Sequence, residues 1–301
     1  MRQAATLTFG AVLLFPFTAA VGRNAPQPPQ EQQSQNSEAR SPVYRATVVS
    51  RTTAAVNYGH RTAPTKVDLK GTLLYPEARG EATVESRRGA VEIDAKFRNL
   101  DAPSRFGPTY LTYVFWAITP EGRSVNLGEI VLNSANKARL RVTSELQSFA
   151  LIATAEPYFS VTQPSNVVVM ENVIRPDTVG RTEQVRARYD LLPRQSYTYE
   201  TGAPAAATDA PKVSMDEYEA LLALYQAQNA LQIARAAGAE QFAGGTIHRA
   251  DELYQQALRL KKRKSDGKQV VTIARQAVQT AEDARIIAVK RQPLEGPASS
   301  Q

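Results

Sequence analysis

Few residues of this sequence have the types and spacing that could do chemistry. Glu92 and Asp94 stand two positions apart in an alternating segment, so both carboxylates lie on one face of a predicted strand, as a glycosidase pair would. Lys96 and Arg98 continue the same polar row. Because mixed charges along one strand face are typical of a solvated sheet surface, we interpret the row as surface and not as a catalytic pair.

Histidine, cysteine and the common catalytic signatures give no support for an enzyme. The chain has no cysteine and two histidines, His60 and His248, which lie far apart in different predicted segments. This excludes disulfides, thiol catalysis and cysteine-ligated zinc, and it argues against a metal site or a histidine-based triad. Glycine-rich phosphate loops and the HExxH and G-x-S-x-G patterns are absent. We therefore expect no enzymatic activity, no cofactor and no metal.

One basic run is a candidate binding feature. Lys261, Lys262, Arg263 and Lys264 lie together at the end of a predicted helix. They would either contact an anionic surface, such as lipid phosphates or an envelope polymer, or form a solvated terminus where cations offset free carbonyl groups, which is the commoner role. The net charge of +7 is moderate and the cations alternate with acids along most of the chain, so we expect no nucleic-acid partner.

The N-terminus has the layout of a secretory signal peptide. Met1-Arg2 precedes an apolar run, Ala4 to Val21, that ends in small residues. A retained anchor is the alternative, but the run is short and is interrupted by Gly10 and Pro16. We expect residues 1–22 to form a signal peptide that is cleaved near Ala20 or Gly22, and a mature protein that works in the periplasm or the outer envelope, with peripheral membrane association as an option.

The centre of a predicted β-domain is a hairpin over Tyr110–Leu132. Its two apolar arms flank Thr119-Pro120-Glu121-Gly122, where proline presets φ and glycine accepts a positive φ. The only tryptophan, Trp116, lies in the first arm. Around the hairpin, apolar residues recur at period two from Val43 to about Ile174, with turn residues between the runs. Residues 42–193 are therefore predicted to form an antiparallel β-sandwich or a partly closed barrel.

Residues 213–292 change to a helical period. Ser214 and Glu217 form a capping box, and apolar residues then follow one face up to Gly238. Two more helices are expected, from about Thr246 and from about Lys268, and their alanine-rich seams predict a close three-helix bundle. Three segments are predicted to lie outside the two domains: a disordered Gln/Pro-rich spacer, a Pro/Ala linker and a disordered tail, at 23–41, 194–212 and 293–301.

The predicted hairpin and the strands after it resemble a known domain. Tyr113–Glu129 combines an aromatic strand, a Glu-Gly turn and a strand of small residues; Phe149–Pro157 is alanine-rich and ends in Glu-Pro; Pro164–Val167 follows. This arrangement resembles the extracytoplasmic β-domain of anti-sigma-K-type regulators. The resemblance implies a fold and not an activity. The sigma-binding segment and spanning helix of those regulators find no counterpart, so we expect no signalling to a sigma factor.

The helical part carries a second resemblance. Ala230–Ala239, Ala250–Leu258 and Ala274–Ala284 show Ala-Arg-x-x-Gly-Ala and Ala-x-x-Leu-x-x-Ala spacings. They resemble an uncharacterised periplasmic helical domain that is common before OmpA-like domains, although tetratricopeptide repeats use similar spacings. No OmpA-like domain follows, so direct wall binding by that route is not expected.

Together these features predict a secreted or periplasmic cell-envelope protein without enzymatic activity. In the favoured hypothesis it acts as an interaction or structural module whose partners are other envelope proteins or an envelope polymer. The alternative is an extracytoplasmic sensor whose β-sandwich binds a small ligand or a peptide, which would need a deep apolar cavity with converging polar groups.

Overall fold

A computed structural model describes residues 49–59, 63–87, 89–173, 186–191 and 214–292, all of which belong to one compact unit, 44–301. The predicted signal peptide, spacer, linker and tail lie outside the described residues, as does His60. The described part is a mostly antiparallel β region followed by a helical region, which confirms the predicted α+β class at that level.

The β region contains eleven strands in the described residues. They are β1 Val49–Ala54, β2 Val56–Asn57, β3 Thr65–Gly71, β4 Arg79–Arg87, β5 Ala90–Arg98, β6 Thr112–Ile118, β7 Ser124–Ile130, β8 Lys137–Ser144, β9 Ser148–Glu156, β10 Val168–Val173 and β11 Arg186–Leu191. β1 and β11 form a two-stranded sheet. The others form a nine-stranded sheet in the order β7-β6-β9-β10-β3-β4-β5-β8, with β2 paired to β9.

The large sheet curls into a nearly closed barrel. Its first and last strands, β7 and β8, lie side by side: a methyl group placed on Gly128 would be 3.6 Å from Cδ1 of Leu140. Gly128 itself has a φ of 138°, and the pairing of β6 with β7 shifts register between Phe115 and Trp116. A bulge of this kind increases local twist and helps a sheet to bend round.

The predicted hairpin is confirmed. β6 pairs with β7 through Tyr113 and Ile130 at one end and through Ile118 and Ser124 at the other, and Gly122 takes a φ of 89° in the turn. Trp116 is fully buried.

β6 and β9 are buried on both faces. Inside the barrel, Tyr113, Phe115 and Leu151 join a core with Phe97 and other apolar side chains. The alternate residues of the same two strands face outward and are buried in a second core that they share with the helices, including Val114, Trp116, Ile118, Ala150 and Ile152. This double burial explains why both strands are apolar at nearly every position.

The helical region covers that outward face. It contains α1 Met215–Ala236, the four-residue α2 Ala239–Phe242, α3 Gly244–Lys262 and α4 Gly267–Arg291. Ser214 Oγ accepts a hydrogen bond from the Glu217 amide at 3.2 Å, as the capping box predicts. The Glu217 carboxylate does not complete the box and lies instead 3.4 Å from Lys261 Nζ. Gly238 takes a φ of 80° and separates α1 from the short α2, which the sequence did not predict.

Candidate functional site at the sheet and helix interface

Three glutamates lie between the barrel and the helices, and we treat their surroundings as the candidate site. Glu129 is on β7, Glu156 ends β9 and Glu282 is on α4. The side chains of Glu129 and Glu282 are 7% and 3% exposed, and Glu156 is fully buried. Burying a carboxylate is costly unless it is paired or hydrogen-bonded, so the partners of each one define what the site does.

Glu156 lies at the centre of this interface. Its Oε1 accepts hydrogen bonds from the Ser165 amide at 2.7 Å and from the Thr154 hydroxyl. Thr154 in turn accepts a hydrogen bond from Trp116 Nε1 at 2.8 Å. Burial raises the pKa of Glu156 to about 8, against the two donors, and the nearby Glu282 adds to the rise. Glu156 is therefore protonated at neutral pH.

Glu282 holds a loop of the barrel onto α4. Its Oε2 accepts from the Tyr158 hydroxyl at 2.6 Å, and its Oε1 accepts from the amide and hydroxyl of Thr162 at 3.0 and 2.6 Å. Arg285, one turn further along α4, donates to both carboxylate oxygens at 2.7 and 2.8 Å and to Thr162 at 3.0 Å. Arg285 thus neutralises the charge of Glu282 on the same helix, and the other hydrogen bonds that the Glu282 carboxylate accepts come from the barrel.

Glu129 makes the equivalent connection on the β7 side. Arg275 of α4 donates to its Oε2 at 2.6 Å, and Gln226 of α1 donates to its Oε1 at 2.8 Å. Thr112 of β6 donates to the same Oε1 at 2.8 Å. The Arg275 guanidinium also lies 3.6 Å from the centre of the Phe159 ring, a cation–π contact.

Amide side chains fix the irregular segment 157–161 between the two layers. Gln226 accepts from the Phe159 amide at 3.0 Å, and Asn229 donates to the carbonyls of Thr109 and Pro157 at 3.1 and 3.3 Å. From the barrel side, Asn126 donates to the carbonyls of Phe159 and Val161 at 2.9 and 2.8 Å. These side chains provide hydrogen bonds for main-chain groups, which are costly to leave unpaired at a buried interface.

The polar contacts of this interface hold the β region and the helical region together. Glu156 and Glu282 are both buried, and the hydrogen bonds of Glu282 join the barrel to α4. Glu156 accepts its hydrogen bonds from Thr154 and Ser165 within the β region, and among the described residues its Oε2 has no hydrogen-bond partner. Within the described ranges no group of three or more His, Asp or Glu side chains could hold a metal ion.

The residues predicted as chemical candidates lie elsewhere. Asp94 pairs with Arg139 at 2.5 Å and with Arg141 at 3.1 Å, and Glu92 lies 3.7 Å from Arg141, so the two acids belong to an ion-pair lattice on the sheet surface. The hydrogen bond from Arg139 holds the pKa of Asp94 well below its usual value. Their interpretation as a solvated face agrees with these contacts. His248 is exposed on α3.

The basic run ends α3 as predicted. Lys262 is the last helical residue, Arg263 caps the helix and Lys264 follows with a φ of 54°. Lys262, Arg263 and Lys264 are exposed, and Lys261 is half-buried beside Glu217. An anionic contact by this run stays a prediction.

Sequence reasoning missed the interface residues. The sequence patterns assigned no role to four of them: Gln226, Asn229, Glu282 and Arg285. One signal was available: Glu282 directly follows Ala281 and Arg285 directly follows Ala284 in the alanine seam of α4, and charged residues are rarely fully buried unless they are paired.

No protein-family model and no curated protein matches this sequence. The two resemblances therefore stay predictions. Among the described helices, none is long and apolar enough to cross a membrane.

Proposed function

We propose that this protein is a secreted or periplasmic cell-envelope protein without enzymatic activity, acting as an interaction or structural module. The observation that carries the proposal is the Glu282 cluster, in which Tyr158 and Thr162 of the barrel meet Glu282 and Arg285 of α4. The polar groups at the centre of the molecule are used to fasten one region to the other. A protein whose two regions are joined in this way can present its outer surfaces to partners.

The finer architecture belongs to the same proposal. The β region is proposed to work as a sandwich-like support, and α1, α3 and α4 as a three-helix bundle laid on it. Support comes from the alanines of α4 that are fully buried in the shared core: Ala274, Ala277, Ala281, Ala284 and Ala288. Alanine lets helix backbones approach closely, so the helices behave as one layer.

The partners are proposed to be other envelope proteins or an envelope polymer. The face of α3 directed away from the core is polar and exposed at Arg249, Glu252, Gln255, Gln256 and Arg259. This face of α3 resembles the polar rim of a protein interface more than it resembles an apolar docking groove. The resemblance of the helices to a periplasmic envelope domain supports the same assignment.

Cell fractionation combined with N-terminal sequencing of the native protein tests the location. We expect a processed chain that starts near residue 23 in the periplasmic or envelope fraction. An intact chain beginning at Met1 and dissolved in the cytosol would contradict the proposal.

Site-specific photo-crosslinking in the full chain tests the assignment of the contact to the helices. A photoreactive residue replaces Gln256 on the outer face of α3, and a matched control replaces Thr83 on β4. We expect adducts with an envelope component from position 256 and fewer from position 83. Adducts from position 83 alone would show that the β region carries the contact.

A further inference from the structure

Four cations form a row across one end of the barrel. Lys70 of β3, Arg79 of β4, Arg98 of β5 and Lys137 of β8 are directly opposite one another in register, and all four are exposed. With neighbouring strands about 4.8 Å apart, the row spans about 14 Å. Like charges that face each other on adjacent strands are destabilising. The row therefore raises the free energy of the folded state unless anions neutralise it.

Next to the cation row, part of the sheet surface is neutralised by ion pairs. Asp94 pairs with Arg139 and Arg141, and Glu92 lies 3.6 Å from Arg87 and 3.7 Å from Arg141. Glu92 and Asp94 each have two arginines beside them. The cation row departs from this pattern at the barrel end.

Within the described residues, the cations of the row have no carboxylate partner. The side chains of Lys70, Arg98 and Lys137 make no hydrogen bond or ion pair there. Arg79 donates to the main-chain carbonyls of Pro76 and Ala78, the second at 2.8 Å, which leaves its charge uncompensated.

Two acids lie in the loops at this end. Asp101 is occupied by Arg105 at 2.5 Å and by the Asn136 amide at 3.0 Å. Glu77 is exposed, and its carbonyl accepts from Asn99. Glu171 of β10 is also directly opposite Lys70 in register, without an ion pair to it. Glu77 and Glu171 against four cations leave the end positively charged.

Apolar side chains project beside the row. Leu73 and Leu74, in the loop after β3, are 99% and 41% exposed, and Val131, in the loop after β7, is 61% exposed. Val131 also lines a groove whose charged residues are four cations and one acid: Lys96, Arg98, Lys137, Arg139 and Glu81. The antiparallel register brings the end of β3, the end of β7 and the start of β8 to the same end of the barrel.

The loop that carries Leu73 is held in shape. Gly71 donates to the Ala78 carbonyl at 2.9 Å, and the buried Thr72 hydroxyl donates to the Val168 carbonyl at 2.7 Å and accepts from the Leu74 amide at 3.2 Å. Leu73 is thus presented to solvent by a hydrogen-bonded turn. A fully exposed leucine on such a turn loses the free energy that its burial would contribute.

We propose that this end of the barrel docks on the surface of an anionic lipid bilayer. The cation row meets the headgroup phosphates, while Leu73, Leu74 and Val131 enter the boundary between headgroups and acyl chains. Charge complementarity and apolar insertion are the two contributions that hold a protein at a lipid surface. A soluble polyanion would use the cations and leave the apolar tips without a role. Docking by this end does not depend on the helical face or on the cellular location proposed above.

Vesicle co-sedimentation with the full chain tests the proposal. The probes are vesicles of equal parts phosphatidylglycerol and phosphatidylcholine, vesicles of phosphatidylcholine alone, and soluble polyphosphate, at about 0.1 M salt. We expect binding to the anionic vesicles only. The Arg98→Gln/Lys137→Gln double variant should bind at least about tenfold more weakly, since each cation near such a surface counts for several-fold in affinity. Leu73→Ser should weaken binding about fivefold or more.

The matched control removes two cations from the other candidate surface. The Lys262→Gln/Arg263→Gln double variant, at the end of α3, should bind like the unaltered protein. Because the chain has no cysteine, Leu73→Cys also allows one environment-sensitive dye to be attached there, with Tyr218→Cys on α1 as the reference position. The dye at position 73 should shift to the blue on anionic vesicles and the dye at position 218 should not.

Three results would overturn the proposal. The first is an absence of binding to anionic vesicles. The second is a loss of binding in the Lys262→Gln/Arg263→Gln variant while the Arg98→Gln/Lys137→Gln variant binds normally. The third is binding that polyphosphate abolishes and that Leu73→Ser leaves unchanged, which would assign the row to a soluble anionic polymer.

Discussion

The hydroxyl of Tyr158 donates a hydrogen bond of 2.6 Å to Glu282, a residue 124 positions further along the chain. Tyr158 lies just after β9 and Glu282 lies in α4, so this contact connects the β region to the helical region. Both side chains are buried, and Arg285 completes the cluster from the next turn of α4. Cooperative unfolding of barrel and helices is the expected consequence.

Removing the Glu282 carboxylate should destabilise the whole protein. Glu282→Ala removes the carboxylate to which the buried Arg285 and the Tyr158 hydroxyl donate, so we expect a loss of about 3 kcal/mol or more in the free energy of unfolding. Tyr158→Phe should cost about 1 kcal/mol, because Glu282 keeps its other donors. Urea denaturation followed by the fluorescence of Trp116 measures both.

The surface acid Asp94 provides the control for that comparison. Asp94→Asn breaks the ion pairs to Arg139 and Arg141, both of which are well exposed, and should cost less than about 1 kcal/mol. An equal loss for Asp94→Asn and Glu282→Ala would show that burial of the Glu282 cluster adds nothing.

Glu156 should make stability depend on pH. Its pKa is raised from an ordinary value of 4.5 to about 8 by burial, so the folded state holds a proton that the unfolded state releases between those values. The stabilising contribution is complete below about pH 4.5 and falls by about 1.4 kcal/mol per pH unit until pH 8. Glu156→Gln, which imitates the protonated form, should remove this slope and be the more stable protein at pH 8.

Urea denaturation at several pH values between 5 and 8 gives the slope for each variant. Glu240→Gln serves as the control, because Glu240 is exposed and should leave the pH dependence as it is. A slope that survives in Glu156→Gln would mean that another group titrates in this window.

The alanine seam of α4 should not accept a larger side chain. Ala281 is fully buried between the helices and the barrel, so Ala281→Leu forces the layers apart and should cost about 2 kcal/mol. Ala236→Leu, at an exposed position of α1, should change stability by less than about 0.5 kcal/mol. Thermal unfolding of the two variants distinguishes them, and similar melting temperatures would contradict the packing.

Gly71 should be irreplaceable in the turn before Leu73. A methyl group at this position would lie 2.1 Å from the Tyr75 carbonyl oxygen and 3.0 Å from that of Ala78, so Gly71→Ala should cost at least about 2 kcal/mol. Gly244, where nothing lies within 4 Å, is the matched control, and Gly244→Ala should be neutral or stabilising by about 0.5 kcal/mol. Denaturation curves of both proteins check the difference.

Local patterns predicted the secondary structure well. The alternation of Ala90–Arg98 predicted a strand with one buried face, the Thr119–Gly122 turn predicted the hairpin, and Ser214 predicted the start of the first helix. Each of these features depends on neighbours in sequence, through side-chain periodicity or a backbone conformation that few residues adopt. The four-residue α2 was not predicted because a single helical turn has too few residues to show a hydrophobic period.

Composition and periodicity alone thus determined that a β region precedes alanine-seamed helices, and that the Glu92 and Asp94 row is surface. Tertiary structure decided which polar residues are buried. Gln226, Asn229 and Glu282 have ordinary polar identities, and their burial follows only from the barrel loop that covers them. The cation row across four strands was also invisible in sequence, because its members are aligned by strand register between residues that are distant in the chain.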